Sequence, residues 1–127
     1  MKQTAALLDP LIDIYQEPLP LDWAKYFEKD APLYMSTINW AEIVFKICKH
    51  RGEEFWHQLR LELMAYPIHL VDVTAQLAEK AAVLKNKYAL GLADAMAAAL
   101  AYSEKATLVT KDNDFKCLEQ NLKIFWI

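Results

Sequence analysis

Leu92-Ala-Asp-Ala-Met-Ala-Ala-Ala-Leu-Ala-Tyr-Ser-Glu-Lys-Ala-Thr-Leu-Val-Thr-Lys-Asp-Asn-Asp-Phe115 is the stretch on which the rest of the chain is organised. Asp94 opens an Ala-rich helix, predicted from Leu92 to Tyr102. A short apolar strand follows, Thr107 to Val109, and Thr110-Lys111-Asp112-Asn113-Asp114-Phe115 comes directly after it. One helix and the next strand can thus deliver several carboxylates to one end of a sheet. Crowded carboxylates are costly unless a cation neutralises them, a proton does, or a partner pairs with them. Hard divalent cations such as Mg2+ take oxygen ligands of this kind.

Outward from this stretch, helices and strands alternate. Upstream, Gly91 separates the Ala-rich helix from one capped by Thr74, with Leu77, Ala81 and Leu84 in helical register. Before that comes a strand, Ile68 to Val71, and a helix from Glu53 to Met64 carrying Phe55, Leu59 and Leu63. Gly52 ends a helix that starts near Thr37, whose apolar face reads as Ile38, Ala41, Val44, Phe45 and Cys48. Lys46, Lys49, His50 and Arg51 lie in the C-terminal half of that helix, where positive charge suits the dipole. Leu33 to Ser36 reads as a strand, and Leu21 to Glu28 as a short helix. Thr4 to Leu8 reads as the first strand, ending at Asp9, and Pro10 starts a helix that Glu17-Pro18-Leu19-Pro20 breaks. A short helix from Asp114 to Glu119 and a strand from Lys123 to Trp126 close the chain.

This alternation predicts one α/β domain over residues 1–127, with a central, mainly parallel sheet covered on both faces. Ligands of such sheets gather beyond the carboxyl ends of the strands. Asp9, the Ser36-to-Glu42 segment and Thr110-Lys111-Asp112 each follow a strand. Asp94 does not, and relies on the fold to bring it there.

Composition excludes several classes. The 127 residues are 55% hydrophobic and 24% charged, which suits one globular core. No apolar run approaches the roughly 20 residues of a membrane span, and the N-terminal apolar run is too short for a signal peptide. The two cysteines, Cys48 and Cys117, form neither a metal-type spacing nor a disulfide framework and read as reduced thiols of a cytoplasmic protein. A net charge of -3 makes the whole molecule no trap for nucleic acid, so any such contact rests on a local basic patch. With only Gly52 and Gly91, there is no Gly-rich phosphate loop. His50, His57 and His69 fall in no metal-ligand spacing.

Three segments together carry a resemblance. Ser36-Thr37-Ile38-Asn39-Trp40-Ala41-Glu42, Lys87-Tyr88-Ala89-Leu90-Gly91-Leu92-Ala93-Asp94-Ala95 and Leu108-Val109-Thr110-Lys111-Asp112-Asn113-Asp114-Phe115 resemble PIN domains, and among them the ribonuclease toxins of the VapC type in bacterial toxin–antitoxin pairs. The resemblance covers about three quarters of the chain. It implies a three-layer α/β/α fold on a five-stranded parallel sheet, with acidic residues holding Mg2+ or Mn2+ for RNA phosphodiester cleavage by metal-activated water. Carried over by motif, Glu42, Asp94 and Asp112 are the implied catalytic and metal-holding acids, with Asn39 and Thr110 as polar positions lining the pocket. It also implies a homodimer and a small antitoxin protein as partner.

The N-terminus departs from the family pattern. Asp9 follows an apolar strand as the family's first acid does, but aligning back from Glu17-Pro18 places Ala6 there instead. With Asp9, four acids are available. With Ala6, a main ligand is missing, and the reading becomes a catalytically decayed PIN scaffold that binds protein or RNA. A phosphohydrolase of small esters is a third reading, opposed by the lack of an Asp-x-Asp nucleophile motif after the first strand.

Each acid also has a plainer role open to it. Glu42 suits a solvated helix position, Asp94 a first-turn acid serving the dipole, and Asp112 a turn or cap. Asp114 reads as a cap before a ligand. Lys46 and Arg51 read as a solvated helix end and, failing that, as contacts for an RNA backbone, which asks only for positive charge. Only the joint pattern, three motifs in one fold order, favours a site.

Overall fold

The computed structural model describes residues 3–5, 33–65, 68–110 and 112–126. Among these, five strands form one sheet: β1 (Gln3–Ala5), β2 (Leu33–Ser36), β3 (Ile68–Val71), β4 (Thr107–Thr110) and β5 (Ile124–Trp126). Their order is β3-β2-β1-β4-β5, and every pairing is parallel. Ala5 stands beside Val109, and Ser36 beside Val71.

Parallel neighbours need crossovers, and these are helical. Helices α1 (Thr37–Arg51) and α2 (Glu53–Met64) link β2 to β3. Helices α3 (Ala75–Tyr88) and α4 (Leu92–Glu104) carry the chain from edge strand β3 back past β2 and β1 to β4. The direction of travel across the sheet reverses there. Right-handed crossovers in opposite directions put the two helix pairs on opposite faces. Two separate cores follow. One gathers α3, α4, Leu108, Phe115 and Leu118, and the other gathers Leu33, Met35 and Val109 with Ile43, Ile47, Trp56, Leu59 and Leu63.

The local causes are legible at most ends. Ser36 Oγ accepts from the Asn39 amide at 3.1 Å and caps α1, and Thr74 Oγ1 accepts from the Leu77 amide at 3.1 Å and caps α3. Between α1 and α2, Gly52 adopts φ 88°, a region L side chains avoid, while its N–H closes on the Cys48 carbonyl at 3.0 Å. In α4, seven consecutive residues, Ala95 to Ala101, are buried. A helix buried all round belongs at the centre of its layer. Its alanines, the best helix formers, let α3 and the sheet approach closely.

One expectation needs correction. The buried stripe of α1 is Asn39, Ile43 and Ile47, whereas Phe45 is 61% exposed and Ala41 is exposed as well. The stripe starts at a polar residue, so an all-apolar reading of the helix settled one position away. Gly91 separates α3 from α4 as expected: Ala89 closes α3 at φ 53°, and Gly91 is the N-cap of α4. The predicted helices at 11–28 and the end of the first strand at 6–8, with Asp9 and Ala6, lie outside the described residues.

Candidate metal site at the strand ends

The site begins where the sheet order reverses, between β1 and β4. In open parallel sheets the crevice beyond the carboxyl ends at such a switch point is where ligands bind. β4 ends at Thr110, which is 1% exposed. Its hydroxyl accepts from the Asp112 amide at 3.0 Å. Asp112 then caps a short 3-10 turn (Asn113–Leu118), its Oδ1 accepting from the Asp114 amide at 2.9 Å. Phe115, fully buried, pins that turn to the core.

Asp94 arrives from the first turn of α4. That turn is held from across the sheet: Asn39 Nδ2 donates to the Ala93 carbonyl at 2.9 Å. Asn39 is itself oriented by Ser36, whose hydroxyl donates to Asn39 Oδ1 at 2.5 Å. Asn39 has no exposed surface, so Asn39 and Thr110 hold the acid-bearing segments and do not present themselves to solvent.

The result is three carboxylates, Asp94, Asp112 and Asp114, each with an oxygen within 4.8 Å of the other two. Asp94 and Asp112 are half-buried and Asp114 is exposed. Like charges this close repel strongly at low effective dielectric, and a divalent cation removes the penalty. Oxygens this close are near enough for Asp94, Asp112 and Asp114 to share one hard cation. The all-oxygen donor set fits Mg2+ or Mn2+ and not a thiol-seeking metal.

The structure thus brings together two of the sequence-predicted acids and adds Asp114, expected to be a cap. The capping falls to Asp112. The signal for Asp114 was its position two residues after Asp112 in a turn tight enough to keep both side chains near. Glu42 is half-buried on α1, three residues after Asn39, and is not one of the three clustered acids among the described residues. It shares the helix surface with Asn39 at i,i+3 spacing, beside the α4 junction. Lys46 is half-buried and Arg51 exposed on the same helix, with the Arg51 guanidinium 4.4 Å from the Phe55 ring centroid. They lie about 10 and 18 Å along the helix axis from Asn39, at 1.5 Å per residue, well removed from the acids. No described helix is long and apolar enough to cross a membrane.

A parallel α/β domain with acids gathered at its switch point is the class this geometry defines. The sequence profile of the PIN domain matches residues 4–120, and the chain belongs to the PIN domain family. No curated protein matches the sequence. Among solved structures, the chain is similar in fold to one in a toxin–antitoxin complex from Klebsiella pneumoniae, with TM-score 0.68, 22% identity and 100% of both chains covered. It is similar to a chain of VapBC2 from Rickettsia felis bound to a DNA fragment from its promoter, with TM-score 0.75, 19% identity, and 100% of this chain and 99% of that one covered. DNA-bound VapBC from Salmonella typhimurium gives TM-score 0.76 and 17% identity, with 98% of each chain covered.

Proposed function

We propose that the chain is a Mg2+- or Mn2+-dependent endoribonuclease, the toxin of a toxin–antitoxin pair. The observation that carries this is the cluster of Asp94, Asp112 and Asp114 at the switch point of a PIN fold. Asp94 and Asp112 would hold the cation, with Asp114 beside them. Glu42 on α1 would be a further donor, and Asp9 a fourth acid offered by the sequence. When bound, the cation supplies the Lewis-acid chemistry of phosphodiester hydrolysis. The chain's own work is geometric. Thr110 and Asn39 fix the backbone from which the carboxylates project, and the turn after β4 sets the spacing between Asp112 and Asp114. Without a cation, the acidic cluster repels a phosphate backbone. The cation is therefore needed to admit the substrate as well as to react with it. Lys46 and Arg51 are proposed as phosphate contacts away from the scissile bond.

The partner is proposed to be a small antitoxin protein and the active assembly a homodimer, in the cytoplasm. Support comes from the neighbours in toxin–antitoxin complexes and from large apolar side chains left on the surface, among them Phe45, Leu61 and Met64. The deciding experiment is RNA cleavage by the purified protein with Mg2+ or Mn2+, with excess chelator, and with Asp94→Asn. Cleavage should require the metal and disappear in the variant. Cleavage that persists in chelator would sink the metal mechanism. Absence of both metal binding and cleavage in the unmutated protein would instead favour a scaffold that has lost its first ligand.

A further inference from the structure

On the outer side of the α3–α4 layer lies a cavity of about 610 Å3, lined by none of the three clustered aspartates. Its size falls within the roughly 300–1,000 Å3 of small-molecule sites. Its walls are of three chemical kinds. The floor is apolar, made by Ala99, which is fully buried, and half-buried Leu84, while Val83 is exposed at the edge. Two half-buried phenol rings, Tyr88 and Tyr102, line it as well, and Asn121 donates from Nδ2 to the Tyr88 hydroxyl at 3.2 Å. At the rim, Lys80 and Lys87 face one acid, Glu79. The Lys87 ammonium lies 5.3 Å from the Tyr88 ring centroid, so a cation and an aromatic face are held side by side. Lys80 reaches Ser103 Oγ at 3.4 Å, a weak tether on an exposed side chain.

We propose that this cavity binds a ribonucleotide unit, with the base against the tyrosines and the apolar floor and the phosphate on Lys80 and Lys87. Each wall answers to one part of that ligand. Aromatic side chains accept any base by its π-face. The amides of Asn121 and Gln76 offer both donors and acceptors to a base edge. Two lysines against one glutamate leave the rim positive on a molecule of net charge -3, which localises an anion here. A purely apolar occupant would leave the lysines and amides unused, and inorganic phosphate would leave the floor and rings unused. Burial, with the neighbouring Tyr88 hydroxyl and Cys117 thiol adding, pushes the Tyr102 phenol above its ordinary value. Like any phenol it is protonated at neutral pH and presents an O–H donor.

The test is calorimetric titration of the wild-type protein with uridine monophosphate in excess chelator. No cleavage takes place under those conditions, so failure here and failure of the nuclease reading are separable. Saturable binding is expected. Tyr102→Ala and the pair Lys80→Ala with Lys87→Ala should each weaken it by about tenfold, the scale of one base stack. Lys80 and Lys87 are exposed, so the pair tests the site even if Tyr102→Ala misfolds, and Tyr102→Phe should weaken binding by a smaller factor with the fold kept. A short oligouridylate binding more tightly with the same variant sensitivities places the unit in an RNA strand, and equal affinity places it in the free nucleotide. No saturable binding overturns the proposal. So does inorganic phosphate binding as tightly as uridine monophosphate. So does a dimer by light scattering that Val83→Glu dissociates, when the nucleotide fails to bind, because a second copy then fills the cavity.

Discussion

Asn39 Nδ2 lies 2.9 Å from the carbonyl oxygen of Ala93, a hydrogen bond between residues 54 apart in sequence. Ala93 immediately precedes Asp94, so the bond ties the start of α1 to the backbone that carries a clustered acid. Asn39 is wholly buried, and its two polar ends are used in different directions: Oδ1 accepts from Ser36, and Nδ2 serves Ala93. The cap of one helix and the placement of another thereby share one side chain.

Replacing Asn39 by Ala removes both bonds and leaves the Ser36 hydroxyl short of an acceptor. Truncation at a buried hydrogen-bonded site costs about 1–3 kcal/mol, and denaturant melts should show that loss. Asn39→Asp is the sharper variant, because a carboxylate has no N–H for the Ala93 carbonyl. It should lose at least as much stability and weaken Mn2+ binding, without touching any of the clustered acids. Unchanged Mn2+ affinity in a folded Asn39→Asp protein would separate the α1–α4 tie from the site.

Asp112 has two jobs, capping the 3-10 turn and joining the acidic cluster, and one substitution separates them. Asn caps as well as Asp, so Asp112→Asn should change stability by no more than a few tenths of a kcal/mol. The lost charge should nonetheless remove most Mn2+ affinity and RNA cleavage. A melting curve and a calorimetric Mn2+ titration on the same sample check both halves. If cleavage survives, Asp112 serves the turn alone.

How much of this was legible in sequence depended on whether one local signal sufficed. Thr74 and Gly52 announce helix ends by chemistry that acts within a turn, and the strands at Leu33, Ile68 and Thr107 start where the apolar runs start. The stripe of α1 was misread because its first member, Asn39, is polar and is buried for its hydrogen bonds. Asp114 was less legible for a different reason. Whether an exposed acid after a strand caps or clusters depends on side-chain directions around a tight turn, and spacing alone does not fix those. Glu42 followed its motif onto α1, but nearness to Asp94 is a matter of helix packing that no local pattern encodes. The cavity between α3 and α4 was not foreseen at all. It arises from Leu84 and Tyr88 on α3, Ala99 and Tyr102 on α4, and Asn121 beyond the 3-10 turn, which are far apart in sequence.

Ala89 ends α3 in the left-handed region, at φ 53° and ψ 41°, where a β-carbon is crowded. That conformation costs an L-residue roughly 1–2 kcal/mol, and glycine adopts it freely. Ala89→Gly should therefore stabilise the protein by about 0.5–1 kcal/mol, after the extra unfolded-state entropy of glycine is subtracted. The rise should show in the thermal midpoint. A fall would mean that the exposed Ala89 methyl contributes more to the α3–α4 corner than its strain takes away.

Tyr102 gives the fold a dependence on alkaline pH. Its phenol is raised above the ordinary value, first by burial and then by Tyr88 and Cys117. The unfolded chain thus releases this proton before the folded one does. Between the unfolded value, near 10, and the raised folded value, the folded state binds more protons, and stability falls as pH rises. The stabilising difference is fully present below the unfolded value and is lost through the folded one. Tyr102→Phe has no proton to release, so its stability should decline less steeply above about pH 10. Paired urea melts of wild type and Tyr102→Phe at neutral and alkaline pH measure that difference directly, and ultraviolet titration should show one late-ionising phenol missing from the variant. Parallel declines would mean that the Tyr102 hydroxyl is solvated in the folded protein, and that the α3–α4 cavity is more open to water than its half-buried tyrosines indicate.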